Sequence, residues 1–109
     1  MLKLLIGLCL MAACVAIHAG GLAAALRWMS GRTFAQQRFW RWTGRFIAVA
    51  SWTIVLHLTE ITVWALVYYL RDAMGDLSSA LYFSAVTYTT TGYGDLVLPK
   101  EWRLVGGVE

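Results

Sequence analysis

The chain has 109 residues, of which 60% are hydrophobic and only 14% charged, and its formal net charge is +3. Ordinary globular proteins carry about 25% charged residues, so a soluble single domain of this size could not hide so much apolar surface. The composition therefore selects an integral membrane protein; with no nucleic-acid motif in the chain, nucleic acid is not expected as a partner, and the arginines are better explained by membrane topology.

The first apolar run covers residues 4–26, between Lys3 and Arg27. At 1.5 Å per residue it is roughly 34 Å long, enough to cross a bilayer core and too long for the apolar region of a signal peptide. It predicts an N-terminal transmembrane helix within residues 1–28. Small residues recur four apart (Ala12 and Ala16, Ala19 and Ala23, Gly20 and Ala24, Gly21 and Ala25), a spacing that lets a second helix come close. His18 lies deep in this run, where a lone histidine most often bonds a neighbour. Cys9 and Cys14 form neither a CxxC pair nor a metal-ligand pattern and read as small packing residues.

Residues 29–45 form a basic segment. With Arg27 just before it, the stretch carries Arg32, Arg38, Arg41 and Arg45 and no acid, which the positive-inside rule places in the cytoplasm. Thr33 with Gln36 fits a capping box. Ala35, Phe39, Trp42 and Phe46 follow at helical spacing, predicting a short helix in the inner membrane interface that bends up into the next span.

The second apolar run covers residues 46–70 and stops at Arg71-Asp72. It spans roughly 37 Å, so tilt is expected, with Tyr68 and Tyr69 marking the far interface. Starting inside, it finishes outside. Thr53, His57, Glu60 and Trp64 share one face by their spacing. A carboxylate near the bilayer centre is costly unless it faces protein, so Glu60 is expected to turn inward and pair with His57. Two roles fit that pair: a hydrogen bond that fixes the helix, which is favoured, or proton-sensitive gating.

After Asp76 or Ser78, either of which can cap a helix, residues 77–89 are uncharged and mostly apolar. About a dozen helical residues reach roughly 18 Å, about half the bilayer core. A helix that stops midway and gives way to polar backbone is tolerated only where protein buries it or water lines it. The chain continues as Thr90-Thr91-Gly92-Tyr93-Gly94-Asp95. A strand points alternate groups to opposite faces; alternating left- and right-handed residues can instead present successive carbonyl oxygens to one side. Gly92 and Gly94 tolerate positive φ and bracket Tyr93, and Thr90 adds a hydroxyl.

Residues 90–94 repeat the TVGYG pattern of potassium-selective filters with threonine for valine. On this motif, and on the half-length helix before it, the chain resembles the tetrameric potassium-channel family, specifically the bacterial-type pore domain, over residues 46–109. The resemblance implies an all-α membrane protein with two transmembrane helices, a re-entrant pore helix and a selectivity-filter loop. Within the pore domain, residues 46–70 match the outer helix, 77–89 the pore helix, 90–94 the filter and 101–109 the start of an inner helix that is otherwise mostly absent from the sequence, as though truncated. It implies that K+ is held by Thr90, Thr91, Gly92 and Tyr93, with Gly94 completing the filter and Asp95, Thr89, Tyr82, Phe83 and Val86 supporting it. The family often has a carboxylate or tryptophan behind the filter; the matching positions here hold Val86 and Phe83, which leaves Tyr82 as the candidate partner of Asp95. Tyr93 is expected to pack against Tyr82, Phe83 or Tyr88.

The implied function is passive conduction of K+ through a homotetramer in the bacterial inner membrane, with lipid as the surrounding partner and no cofactor. The alternative is a non-conducting or regulatory subunit that assembles with complete channels. No span carries arginine at every third position, so no voltage sensor is expected, and the absence of a nucleophile–base pair, metal-ligand cluster or phosphate loop argues against an enzyme. Beyond the filter, Pro99 breaks regular structure, and Trp102 with Arg103 is expected to anchor the outer interface.

Overall fold

A computed structural model describes residues 1–30 and 39–109. Thr33, Gln36, Ala35, Arg32 and Arg38 lie outside the described residues, and with them the expected capping box and the start of the interfacial helix. The described chain is all-α: α1 (Leu2–Ser30), α2 (Phe39–Leu70), α3 (Leu77–Tyr88) and α4 (Arg103–Gly106). α1 and α2 are both long and apolar enough to cross a membrane, and only 11% of the most apolar window of each is buried. The core helices of a soluble protein would be mostly covered. These leave Leu5, Val15, Ile54 and Leu58 exposed, which suits lipid-facing surfaces. The chain is a helical membrane protein.

Both long helices exceed their apolar runs. α1 takes in Lys3 and Arg27 at its ends. α2 begins at Phe39 rather than at 46, so residues 39–45 are its first two turns and not a separate interfacial element. No proline interrupts them, and Gly44 alone costs only about 1 kcal/mol against alanine. The Thr43 hydroxyl donates to the Phe39 carbonyl at 3.2 Å, and the Arg45 guanidinium stands 5.8 Å over the Trp42 ring.

α2 ends in a Schellman turn. The Asp72 N–H donates to Tyr69 O at 3.1 Å and the Ala73 N–H to Tyr68 O at 2.9 Å. Asp72 occupies the left-handed position that glycine usually takes, with φ +53°, and a short polar side chain tolerates it best after glycine. The reversal lays α3 back along α2.

That packing is close because the facing residues are small. Ala65 and Ala80 are fully buried, as is Ser84, whose hydroxyl lies 2.9 Å from the Ile61 carbonyl oxygen on α2. Around this seam Trp64, Tyr68, Leu98, Trp102 and Val105 form one core. Two expectations fail here. Tyr68 does not face out of the chain: it is fully buried, and its hydroxyl donates to Glu109 at 2.8 Å. Trp102 is not an exposed anchor either; it is 4% exposed because the start of α1 covers it. Lys3 lies 4.8 Å over the Trp102 ring and pairs with Glu101 at 3.0 Å. Arg103 folds back, its Nε donating to Leu98 O at 3.2 Å. α4 is a single turn, shorter than the expected 101–109.

α1 meets its neighbours at two glycines. A Cβ on Gly21 would lie 2.5 Å from Leu56 Cδ2, and the Trp52 indole N–H donates to the Gly21 carbonyl at 3.0 Å. Gly21 is thus one of the small residues singled out by spacing. Gly20, its neighbour, meets nothing within 4 Å. Gly7, which the spacing did not single out, is the other contact: a Cβ there would lie 2.9 Å from Val108 Cγ2.

Asp76 is the N-cap of α3, and its carboxylate accepts the Ser79 N–H at 2.9 Å. Hydrogen bonds from the Ser79 side chain and backbone hold its carboxyl below the ordinary value of 3.8. A carboxyl whose folded-state value is depressed contributes stability above its unfolded value and loses it as pH falls through the folded one. Asp76→Ala should therefore lower the unfolding midpoint at pH 7, and the gap to wild type should narrow below pH 3.8. Midpoints measured in mixed micelles at pH 7 and pH 3 check this; a gap independent of pH would contradict it.

Candidate functional site

Two constellations lie at the C-terminal half of α3. The first is the stretch 89–95. The helix end is tied off by the Thr89 N–H and hydroxyl, which donate to Ala85 O at 3.1 and 2.7 Å. The Thr90 N–H then donates to Thr87 O at 2.9 Å and the Gly92 N–H to Val86 O at 3.0 Å. Val86 thus supports the stretch through its backbone. The Thr89 and Thr91 hydroxyls lie 3.0 Å apart, and the Tyr82 hydroxyl donates to Asp95 at 2.8 Å. Tyr82 is the Asp95 partner that the sequence suggested.

Backbone handedness alternates along this stretch. Thr90, Gly92 and Gly94 have φ of +58°, +48° and +76°, while Thr91 and Tyr93 do not have positive φ. The glycines were expected there. Thr90 was not: a β-branched side chain disfavours the left-handed region, and holding it there costs on the order of 1–3 kcal/mol. No sequence signal marks it. Such outliers concentrate at functional sites because surrounding structure must enforce them.

The support residue Phe83 and the filter residue Tyr93 do not meet each other within the chain. Phe83 packs edge-on against Tyr68, with ring centroids 5.5 Å apart, on the side of α3 that faces α2. Tyr93 is 71% exposed, so it is not packed into the α3 aromatics of its own chain. All of residues 89–95 are exposed, and α3 lies behind them.

The second constellation sits between the helices. Glu60 turns inward as expected and is 2% exposed. His57 Nδ1 lies 3.4 Å from Glu60 Oε2, and His18 Nδ1, from α1, lies 3.2 Å from Glu60 Oε1. The Tyr88 hydroxyl bonds both Glu60 Oε2 and His57 Nδ1, the latter at 2.8 Å. One carboxylate therefore links α1, α2 and α3. The sequence pairs His57 with Glu60 by their spacing; nothing in it brings in His18, which is 42 residues away. Thr53 stands apart from this network, its hydroxyl donating to Val49 O at 3.0 Å.

Residues 47–109 match a family model described as Ion channel, which is more than half of the chain. The chain belongs to this ion-channel family. No curated protein and no solved structure matches it. The family match covers most of α2 and all of α3, the 89–95 stretch and α4, so both constellations fall on the channel portion, with α1 contributing only His18.

Proposed function

We propose that the chain is a pore subunit of a potassium-selective channel, in which four copies surround one axis and each contributes residues 90–94 as a filter strand. The observation that most supports this reading is the alternation of φ at Thr90, Gly92 and Gly94 in a Thr-Thr-Gly-Tyr-Gly run at the end of a 12-residue helix. Alternating handedness turns successive peptide units the same way, so the carbonyl oxygens of Thr90, Thr91, Gly92 and Tyr93, with the Thr90 hydroxyl, replace the water shell of K+. α3 acts as the pore helix. Its C-terminal carbonyls near Thr89 carry the negative end of the helix dipole and favour a cation in the cavity beneath. Neighbouring subunits cover the exposed face of residues 89–95 and the ring of Tyr93, while the Tyr82–Asp95 bond holds the outer end of the strand.

Orientation follows from charge. The basic segment 29–45 lies in the cytoplasm, α1 runs from outside to inside, and α3 enters from the outer side of a bacterial inner membrane. Lys3, Glu101 and Trp102 share the outer end in this arrangement, and Trp42 with Arg45 lies at the inner one.

Flux from liposomes containing the purified chain tests the proposal. The expected result is K+ efflux that Na+ cannot replace. Absence of K+ flux, or equal flux of both ions, would overturn it.

A further inference from the structure

Glu60 is the only buried charged side chain among the described residues, and it is surrounded by nitrogen and oxygen atoms that converge on one point. His18, His57 and Glu60 each offer a ligand atom, all within 4.8 Å of one another. The two imidazoles are near neighbours, their ring centroids 5.0 Å apart. They line a cavity of about 330 Å3 together with Tyr88, Cys14 and Glu109, so there is room for an ion and a water molecule.

We infer that His18, His57 and Glu60 form a binding site for a first-row divalent metal ion, with Zn2+ the ion the ligand set suits best. Zinc takes imidazole nitrogen at about 2.0–2.1 Å and carboxylate oxygen at about 2.0–2.2 Å in a tetrahedral shell, which sets ligand atoms about 3.3–3.5 Å apart. The two histidine–carboxylate separations, 3.2 Å from His18 Nδ1 to Glu60 Oε1 and 3.4 Å from His57 Nδ1 to Glu60 Oε2, have this length, each to its own carboxylate oxygen. Binding through one Glu60 oxygen requires the carboxylate to turn and the two histidines to close up, within a cluster whose ligand atoms already lie within 4.8 Å of one another. Two imidazoles and one carboxylate fit Zn2+, Co2+ or Ni2+; Mg2+ and Ca2+ call for all-oxygen shells. The Tyr88 hydroxyl bonds Glu60 Oε2 and lies 2.8 Å from His57 Nδ1; when His57 Nδ1 turns to the ion, the hydroxyl keeps its bond to Glu60 and orients the carboxylate from outside the metal shell. Water completes the tetrahedron from the cavity. The ion joins α1 to α2, which places the helix outside the family match under the control of metal availability.

The test uses the tag-free full chain in detergent, stripped with chelator and titrated with Co2+. The expected result is one saturable site per chain with the intense visible absorption of tetrahedral cobalt, bleached when Zn2+ is added. His18→Gln and His57→Gln should each weaken binding at least about 100-fold, while their metal-free unfolding midpoints identify any variant that fails to fold. Wild-type chain that shows no saturable tetrahedral cobalt signal would overturn the inference, whatever the variants do. So would folded His18→Gln and His57→Gln chains that bind Co2+ like wild type. Both readouts are independent of ion flux, so failure of the pore proposal would leave this test intact.

Discussion

Replacing Gly92 with alanine should abolish potassium-selective flux while leaving the chain folded and inserted. Gly92 has φ +48°, and a Cβ placed on it meets nothing within 4 Å. No clash within the subunit is therefore available to explain a loss. The cost is conformational: an L-residue in the left-handed region is disfavoured by about 1–2 kcal/mol, and in a tetramer that strain is incurred four times. At about 1.4 kcal/mol for each factor of ten, a combined cost of about 4–8 kcal/mol would depopulate the alternating backbone by roughly 1,000-fold or more. Gly20→Ala is the matched control, because Gly20 also meets nothing within 4 Å and sits in a helix where alanine is favoured. Flux assays on both should show Gly20→Ala conducting and Gly92→Ala silent. A Gly92→Ala channel that conducts and selects like the control would refute the role given to this backbone.

The second large effect is expected at Trp64. Its side chain is 1% exposed and lies against Tyr68, with ring centroids 6.0 Å apart, at the junction of α2 with α3. In a bilayer the transfer of apolar surface out of water contributes little to helix association, and close packing carries more of it. Removing an indole from a filled site leaves its neighbours without contacts that lipid does not restore. Trp64→Ala should cost about 3–5 kcal/mol in the unfolding equilibrium measured in mixed micelles, the range for truncating a buried aromatic. Leu58→Ala, on a face where Leu58 is 57% exposed, should change it little. Equal effects of the two substitutions would show that α2 has no preferred packing face.

How much of this was legible before the structure depends on the range of the interaction. Short-range features were readable. Asp76 caps α3 because an acceptor just before an apolar run satisfies the first free N–H groups, and the glycines of the filter-like stretch adopt positive φ as their chemistry allows. The apolar cores of α1 and α2 follow from composition alone. Features that need a partner far along the chain were not readable. His18 looks solitary in sequence, yet it bonds Glu60. Tyr68 and Trp102 look like interface aromatics; they are buried because Glu109 and Lys3 reach them from distant segments. The start of α2 at Phe39 was hidden by its arginines, whose charge points to an interface but does not stop a helix. Thr90 is the opposite case. Its side chain argues against the conformation that the surrounding hydrogen bonds impose.

Anomalous scattering from Tl+, a potassium mimic, in crystals of the assembled protein would locate the conducted ion directly. The expected result is a file of peaks on a four-fold axis, each ringed by main-chain oxygens of Thr90, Thr91, Gly92 and Tyr93 from four chains. Crystals in which Tl+ avoids those oxygens, or in which residues 90–94 of the four chains face away from a common axis, would contradict it.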